Sequence, residues 1–416
     1  MKKVMVIGLG PDYNYPEKFD KWSVENTRYA SNHGASLISR TLLKMFDADF
    51  IDDFSRVEEY KKQYELCILA FATHITDWRD VSMYTDFVEK LDIPVAAFSL
   101  GIQDYTINAG NVGPLHPSLT RLLKRVSSTT RYIGVRGFHT ASLLYKEGFS
   151  NVIPIGCPTL FNNLDPNLKI TKKEPPTRPL NVFHSSFSDV SKSLISNISL
   201  LGQDFLDEAV FTDNLKEDIA FVRSQIRKFN KCKYGDVALE SIQKSGEFVY
   251  SFDEWFHRIG KADFVFGPRL HGCIAALIQG IPAVMIARDT RVKEIADFFK
   301  IPMLTYEQAR DKTLEDLWAF ADFSDFNGLY ARRYHNFITL LKENNILKYL
   351  VKAEQGNGFE FTFDDLQEHR VCLYQKIDNI NLRLATLEHN YGVKAVSTTH
   401  YLFKKLARIK RKITGR

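Results

Sequence analysis

No Cys-x-x-Cys pair occurs in the sequence, and its five cysteines, Cys67, Cys157, Cys232, Cys273 and Cys372, are scattered and odd in number. That argues against a disulfide framework and a structural zinc site, and it predicts a reducing, cytoplasmic setting. No stretch approaches the ~18 uninterrupted apolar residues of a membrane span, and the apolar run within Met1–Gly10 is too short for a secretory signal. No cluster of potential ligands suggests a metal. Gly8-x-Gly10 follows an apolar run, but the third glycine of a dinucleotide fingerprint is missing and Tyr13 stands instead, which counts against a nicotinamide cofactor. Acidic residues are missing from the last 28 positions, His389 to Arg416, which hold eight Lys and Arg. The formal net charge of +5 therefore belongs to that tail, and the rest of the chain is slightly acidic. A body of that balance does not read as nucleic-acid binding.

What is present is ample apolar material: 44% of 416 residues, more than one compact core usually holds, so two domains and an appendage are expected. Buried-strand patterns at Lys3–Ile7, Leu66–Phe71, Pro94–Ser99, Tyr132–Val135 and Val152–Ile155 alternate with helical ones, the first helix spanning Ala35–Phe46. This predicts an N-terminal α/β domain over residues 1–165. Residues 166–179 are rich in proline and charge and read as a linker. A second alternating run, 180–305, has strands expected at Leu180–His184, Phe248–Ser251, Asp263–Phe266 and Ala283–Ala287. Between the first two of these the pattern is helical and charged. Helices are expected from Ser251 to Ile259, Leu270 to Gln279 and Arg291 to Phe299. The fold class is thus α/β, with two doubly wound, Rossmann-like domains facing across a cleft.

Residues 306–352 read as helical, and 353–416 as a helical extension. Leu373, Ile377, Ile380, Leu384, Leu387 and Tyr391 form a heptad seam, which predicts either a homodimeric coiled coil or an amphipathic helix packed on the body. Leu402, Leu406, Ile409 and Ile413 share one helical face among lysines and arginines. That pattern suits an anionic membrane surface and predicts a peripheral location on its inner face; a disordered basic tail is the competing reading.

The densest chemistry falls at Gly267-Pro268-Arg269-Leu270-His271-Gly272, between a strand and an apolar helix. A helix start offers unpaired N–H groups to an anion, an arginine fork can grip a phosphate or carboxylate, and a histidine can move a proton near neutral pH. The competing reading is structural: Arg269 bridging to a carboxylate, and His271 capping the helix.

These residues resemble the polysaccharide pyruvyl transferase family, whose second domain carries an Arg-Leu-His-Gly turn, an apolar helix and a Gly-x-Pro-Ala/Val strand. Here the later element is Gly280-Ile281-Pro282-Ala283. Tyr132–Arg136 is similar to the family's strand end, Gly156-Cys157-Pro158-Thr159-Leu160 to a closing turn, and Asn32-His33-Gly34 to the segment before the first helix. The resemblance implies a GT-B-like fold and a phosphoenolpyruvate donor, with no cofactor and no metal. A sugar of a polymeric or lipid-linked glycan would receive the pyruvyl group as a ketal. It also implies that His271 is the acid/base and that Arg269, Leu270 and Gly272 hold the donor.

One departure concerns the segment after the first strand of the second domain, where the family often has an arginine and this chain has Phe183-His184-Ser185-Ser186. His184 and Ser185 are then candidate hydrogen-bonding partners, with Arg288 or Arg291 supplying the charge. Arg136, ending a first-domain strand, is a further donor-side candidate that could also contact the acceptor, with a structural salt bridge as the competing reading. Asn32 and the aromatics Tyr13, Tyr15 and Trp22 are acceptor-side candidates, since aromatic faces suit sugar rings. Two other functions fit the same pattern: a GT-B glycosyltransferase using a nucleotide sugar, and a non-catalytic protein of envelope-glycan assembly.

Overall fold

The computed structural model describes residues 2–13, 29–30, 32–102, 114–184, 194–195, 197–212, 241–352 and 358. The chain divides into two units, Met1–Glu360 and Phe361–Arg416. The second lies wholly outside the described residues, and with it the heptad seam and the basic tail. Tyr15, Trp22, Ser185 and Ser186 are likewise outside them.

Short apolar segments buried on both faces build parallel strands, because helices cover each side of such a sheet. The first sheet contains β1 (Val4–Gly8), β2 (Asp49–Phe50), β3 (Leu66–Ala70) and β4 (Val95–Ala97), in the order β2–β1–β3–β4 and parallel throughout. A parallel pair, β5 (Ile133–Val135) and β6 (Val152–Pro154), continues it through a Leu100–Val135 bridge. Ligands of such doubly wound sheets lie beyond the strands' carboxyl ends, where the order reverses; here that is between β1 and β3. A small parallel ladder, Asp12–Tyr13 with Tyr29–Ala30, follows β1.

The second sheet has six parallel strands: β7 (Pro179–Val182), β8 (Ser199–Leu201), β9 (Gly246–Glu247), β10 (Phe264–Gly267), β11 (Ala283–Ala287) and β12 (Met303–Thr305). Their order is β9–β8–β7–β10–β11–β12, so the reversal lies between β7 and β10. Three sequence expectations need correction here. The region read as helical and charged contains β8, the strand expected at Phe248–Ser251 is Gly246–Glu247, and β12 ends the 180–305 run with a strand that was not expected. All three flank the central strands and include exposed or half-buried residues, so none shows the wholly buried apolar run that marks a central strand.

Helices position the loops. Five matter below: α1 (His33–Phe46), α2 (Phe138–Lys146), α3 (Leu270–Leu277), α4 (Thr290–Phe299) and α5 (Ser324–Glu343). The carboxamide oxygen of Asn32 caps α1, accepting from Ala35 N at 2.9 Å. Asp289 caps α4, accepting from Arg291 N and Val292 N. Helix α5 returns to the first sheet: Phe337 meets Phe98 edge-on and stacks on Phe161, and Tyr330 Oη donates to Leu160 O at 2.8 Å. Residues 166–178 run without regular structure, held by Ile170 N donating to Asn327 and by Asp263 accepting from Thr177 and Arg178. No helix among the described residues is long and apolar enough to cross a membrane.

Candidate active site

Strand β10 ends at Gly267 and α3 begins at Leu270, as the sequence predicts, so Arg269 is the N-cap residue at the reversal point of the second sheet. Its guanidinium, however, is committed to protein. Nε donates to Phe183 O at 3.0 Å, and Nη2 pairs with Asp204 at 2.7 Å and with Asp207. Burial alone would lower its basicity; the two carboxylates outweigh that and hold it above the usual range. Asp207, fully buried, also accepts from Gln203 N at 2.9 Å. Arg269 therefore fastens the carboxyl end of β7 to the turn after β8, and its charge is already neutralised.

His271, one residue into α3, is buried and faces the first half of the molecule. Its Nε2 lies 3.7 Å from Cys157 Sγ, and Thr159 Oγ1 donates to that sulfur at 3.0 Å. Helix α1 arrives end-on: a Cβ added at Gly34 would stand 2.8 Å from His271 Cβ, so the third residue of Asn32-His33-Gly34 has to be glycine. Asn32 is used in this junction, its oxygen accepting from Gln203 Nε2 at 3.0 Å as well as capping α1. His33 accompanies it, with Nε2 2.7 Å from Val249 O. Burial, then the charges of Arg136 and Arg291, depress the basicity of His271 well below that of a free imidazole, so it is neutral at physiological pH.

Arg136 follows β5 and is 1% exposed. Its Nε and Nη2 are buried and find no hydrogen-bond partner among the described residues. A Cβ at Gly101 would lie 2.5 Å from Arg136 Cδ; the arginine stem occupies the space a side chain there would take. Burial lowers its basicity, yet an arginine keeps its charge. Such a desolvated, unsatisfied cation is costly unless something else completes its bonding. Arg291, near enough to depress both His271 and Arg136, is held by Asp289 at 2.8 Å through Nε. Glu294 of α4 accepts from Thr140 N at 2.6 Å and Thr140 Oγ1 at 2.8 Å, satisfying the start of α2 beside Arg136.

Of the remaining sequence candidates, His184 follows β7, its basicity driven well down by burial, then by Arg269, Arg288 and Arg291. Arg288 is exposed just past β11. Leu270 is buried, and Gly272 lies against Val182, which a Cβ would meet at 2.8 Å. Tyr13 belongs to the small ladder after β1. The structure thus gathers Arg136, His271 and Arg291 within electrostatic reach of one another, with Cys157 alongside His271. Sequence reasoning missed Asp204 and Asp207, hidden beside the unrecognised strand β8, and also His74. That histidine follows β3, and the strand-end logic that singled out Arg136 applies to it equally.

Parallel sheets flanked by helices, with guanidinium and imidazole groups at the carboxyl ends of their strands, define an α/β protein. Among known families, the polysaccharide pyruvyl transferase model matches residues 32–290, more than half of the chain. The chain belongs to that family, and it is accordingly a transferase of pyruvyl groups. No curated protein matches it. Solved structures similar to it at low identity include two sugar-nucleotide epimerases. A UDP-GlcNAc 2-epimerase of Methanocaldococcus jannaschii is 13% identical, with 77% of this chain and 91% of that one covered and a TM-score of 0.35. The corresponding enzyme of Neisseria meningitidis is 11% identical, covering 83% and 100%, with a TM-score of 0.40. Likeness at this level carries no argument about the present site. Among the described residues, no group of three His, Cys, Asp or Glu is arranged to hold a metal ion.

Proposed function

We propose that this protein moves the pyruvyl group of phosphoenolpyruvate onto a sugar of a cell-surface glycan as a cyclic ketal. The observation that carries this reading is Arg136, a buried cation with two unpaired donors beside a neutral histidine. A small polyanion would complete the bonding of Arg136 and balance the field of Arg291. In this scheme Arg136 is the principal donor ligand, Arg288, His184 and the start of α3 at Leu270 flank it, and Arg269 braces the wall. Residues 180–305 then supply the remaining donor-side groups, while residues 1–165 carry Arg136 together with the acceptor side.

A neutral His271 is prepared to accept a proton from a sugar hydroxyl. As that oxygen bonds to C2 of the donor, the electron pair of the C2–C3 double bond takes a proton from solvent at C3. A second hydroxyl then bonds to C2 and gives its proton to the phosphate, which leaves with the C2–O pair, and His271 returns its proton to solvent. Binding of the anionic donor also opposes the two guanidinium charges that depress His271, which brings its basicity back toward the working range. The basic tail is assigned to the membrane surface that presents the glycan.

Calorimetry of the full chain with phosphoenolpyruvate against a panel of nucleotide sugars tests the donor. Binding of phosphoenolpyruvate, followed by acceptor-dependent phosphate release, is the expected result. Nucleotide-sugar binding instead would make it a glycosyltransferase, and binding of neither would favour an assembly role. His271→Gln should lower kcat by about 10²–10⁴-fold while donor affinity changes only a few-fold.

A further inference from the structure

His74 lies just past β3, at the reversal point of the first sheet, and is 5% exposed. Its ring stacks on Phe71, with centroids 4.1 Å apart and planes 14° from parallel. Ala72 N donates to its Nδ1 at 3.0 Å. A neutral imidazole carries one proton, so this bond puts it on Nε2. Burial, then Arg79 and Arg136, keep His74 neutral at physiological pH. No hydrogen bond to a described residue engages Nε2, so its N–H is available.

The turn that carries His74 is tied to the segment against which Arg136 lies. Gly101 N donates to Ala72 O at 2.8 Å, Ile75 N donates to Gly101 O at 3.2 Å, and Gly101 touches the Arg136 stem. Two buried side chains with available N–H groups, each held in a fixed orientation, thus stand at the carboxyl ends of β3 and β5, with the end of β4 between them. The unsatisfied buried donors of Arg136 are costly, and a further available N–H on the same wall suits one acceptor-rich ligand.

We infer that His74 is a ligand-contacting residue, donating from Nε2 to an oxyanion that Arg136 holds at the same time. The inference rests on the reading that Arg136 binds an anionic donor. The oxyanion is either the phosphoryl or the carboxylate end of that molecule.

Two substitutions separate ligand contact from a structural role. In His74→Asn the amide oxygen replaces Nδ1 as acceptor for Ala72 N, but the donor at Nε2 is gone; in His74→Gln the amide nitrogen replaces the Nε2 donor. Titrating phosphoenolpyruvate, inorganic phosphate and pyruvate into the full-length variants, with urea midpoints as a folding control, reads the difference. His74→Asn should weaken phosphoenolpyruvate binding about ten- to a hundred-fold, with His74→Gln within a few-fold of wild type. Whichever of phosphate or pyruvate follows the same pattern identifies the end His74 faces. The reverse order would make His74 only a support for the Ala72 turn, and equal or absent effects would overturn the inference as well. Arg136→Met separates the two levels. If it binds phosphoenolpyruvate normally, the donor site itself is wrong. If it loses binding while His74→Asn keeps it, only the role of His74 fails.

Discussion

Replacing Arg136 by methionine should move binding and stability in opposite directions. The Nε and Nη2 of Arg136 are buried and unpaired among the described residues. Each such donor costs about 1–3 kcal/mol. Nearby Glu294 and Asp289 offset part of that through their charge. Methionine keeps an apolar stem against Gly101 and removes the desolvated charge, so the unliganded fold should gain about 1–2 kcal/mol. With donor bound, the same two N–H groups would face an oxyanion, each worth about 1.5–3 kcal/mol as a charge-assisted bond. Their loss should raise the phosphoenolpyruvate Kd by roughly 10²–10⁴-fold. Urea unfolding without ligand, paired with calorimetry, measures both. Unchanged affinity would remove Arg136 from the donor site. A joint fall in affinity and stability would refute the reasoning differently, by showing the guanidinium to be a structural support whose partners matter in the empty protein.

Asp207→Ala should destabilise the fold by about 3–5 kcal/mol, visible as a lower urea midpoint, because it strips one partner from buried Arg269 and exposes Gln203 N to an unmet bond. An unchanged midpoint would mean that Asp204 suffices alone. His33 gives a pH test, since burial lowers its pKa from 6.5 to about 4, against the opposing effect of its bond to Val249. Above pH 6.5 neither folded nor unfolded chain protonates this ring, and its contribution is constant. As pH falls from 6.5 to about 4 only the unfolded chain takes up the proton, so stability drops, by about 3 kcal/mol once the folded pKa is passed. His33→Gln should flatten that part of the stability–pH curve relative to wild type; parallel curves would refute the assignment.

Local pattern made much of this protein legible. The apolar run Ala283–Ala287 is the strand it predicts, and Arg269 does stand where β10 gives way to α3. Strands buried on both faces and capped helix starts are written in neighbouring residues, because burial and end-capping act over a few positions. The family turn at Arg269–Gly272 was readable for the same reason. The strands β8 and β12 were not, because each includes exposed or half-buried residues and lacks the wholly buried run of equally short strands such as β5 and β6. Nor could any local pattern tell which arginine is spent and which is available. Arg269 sits at the expected helix start yet is neutralised by Asp204 and Asp207, while Arg136, from a distant strand, arrives near His271 with donors unmet. Charge pairing and desolvation depend on which strand ends the two sheets bring together, and that was decided only by the tertiary structure.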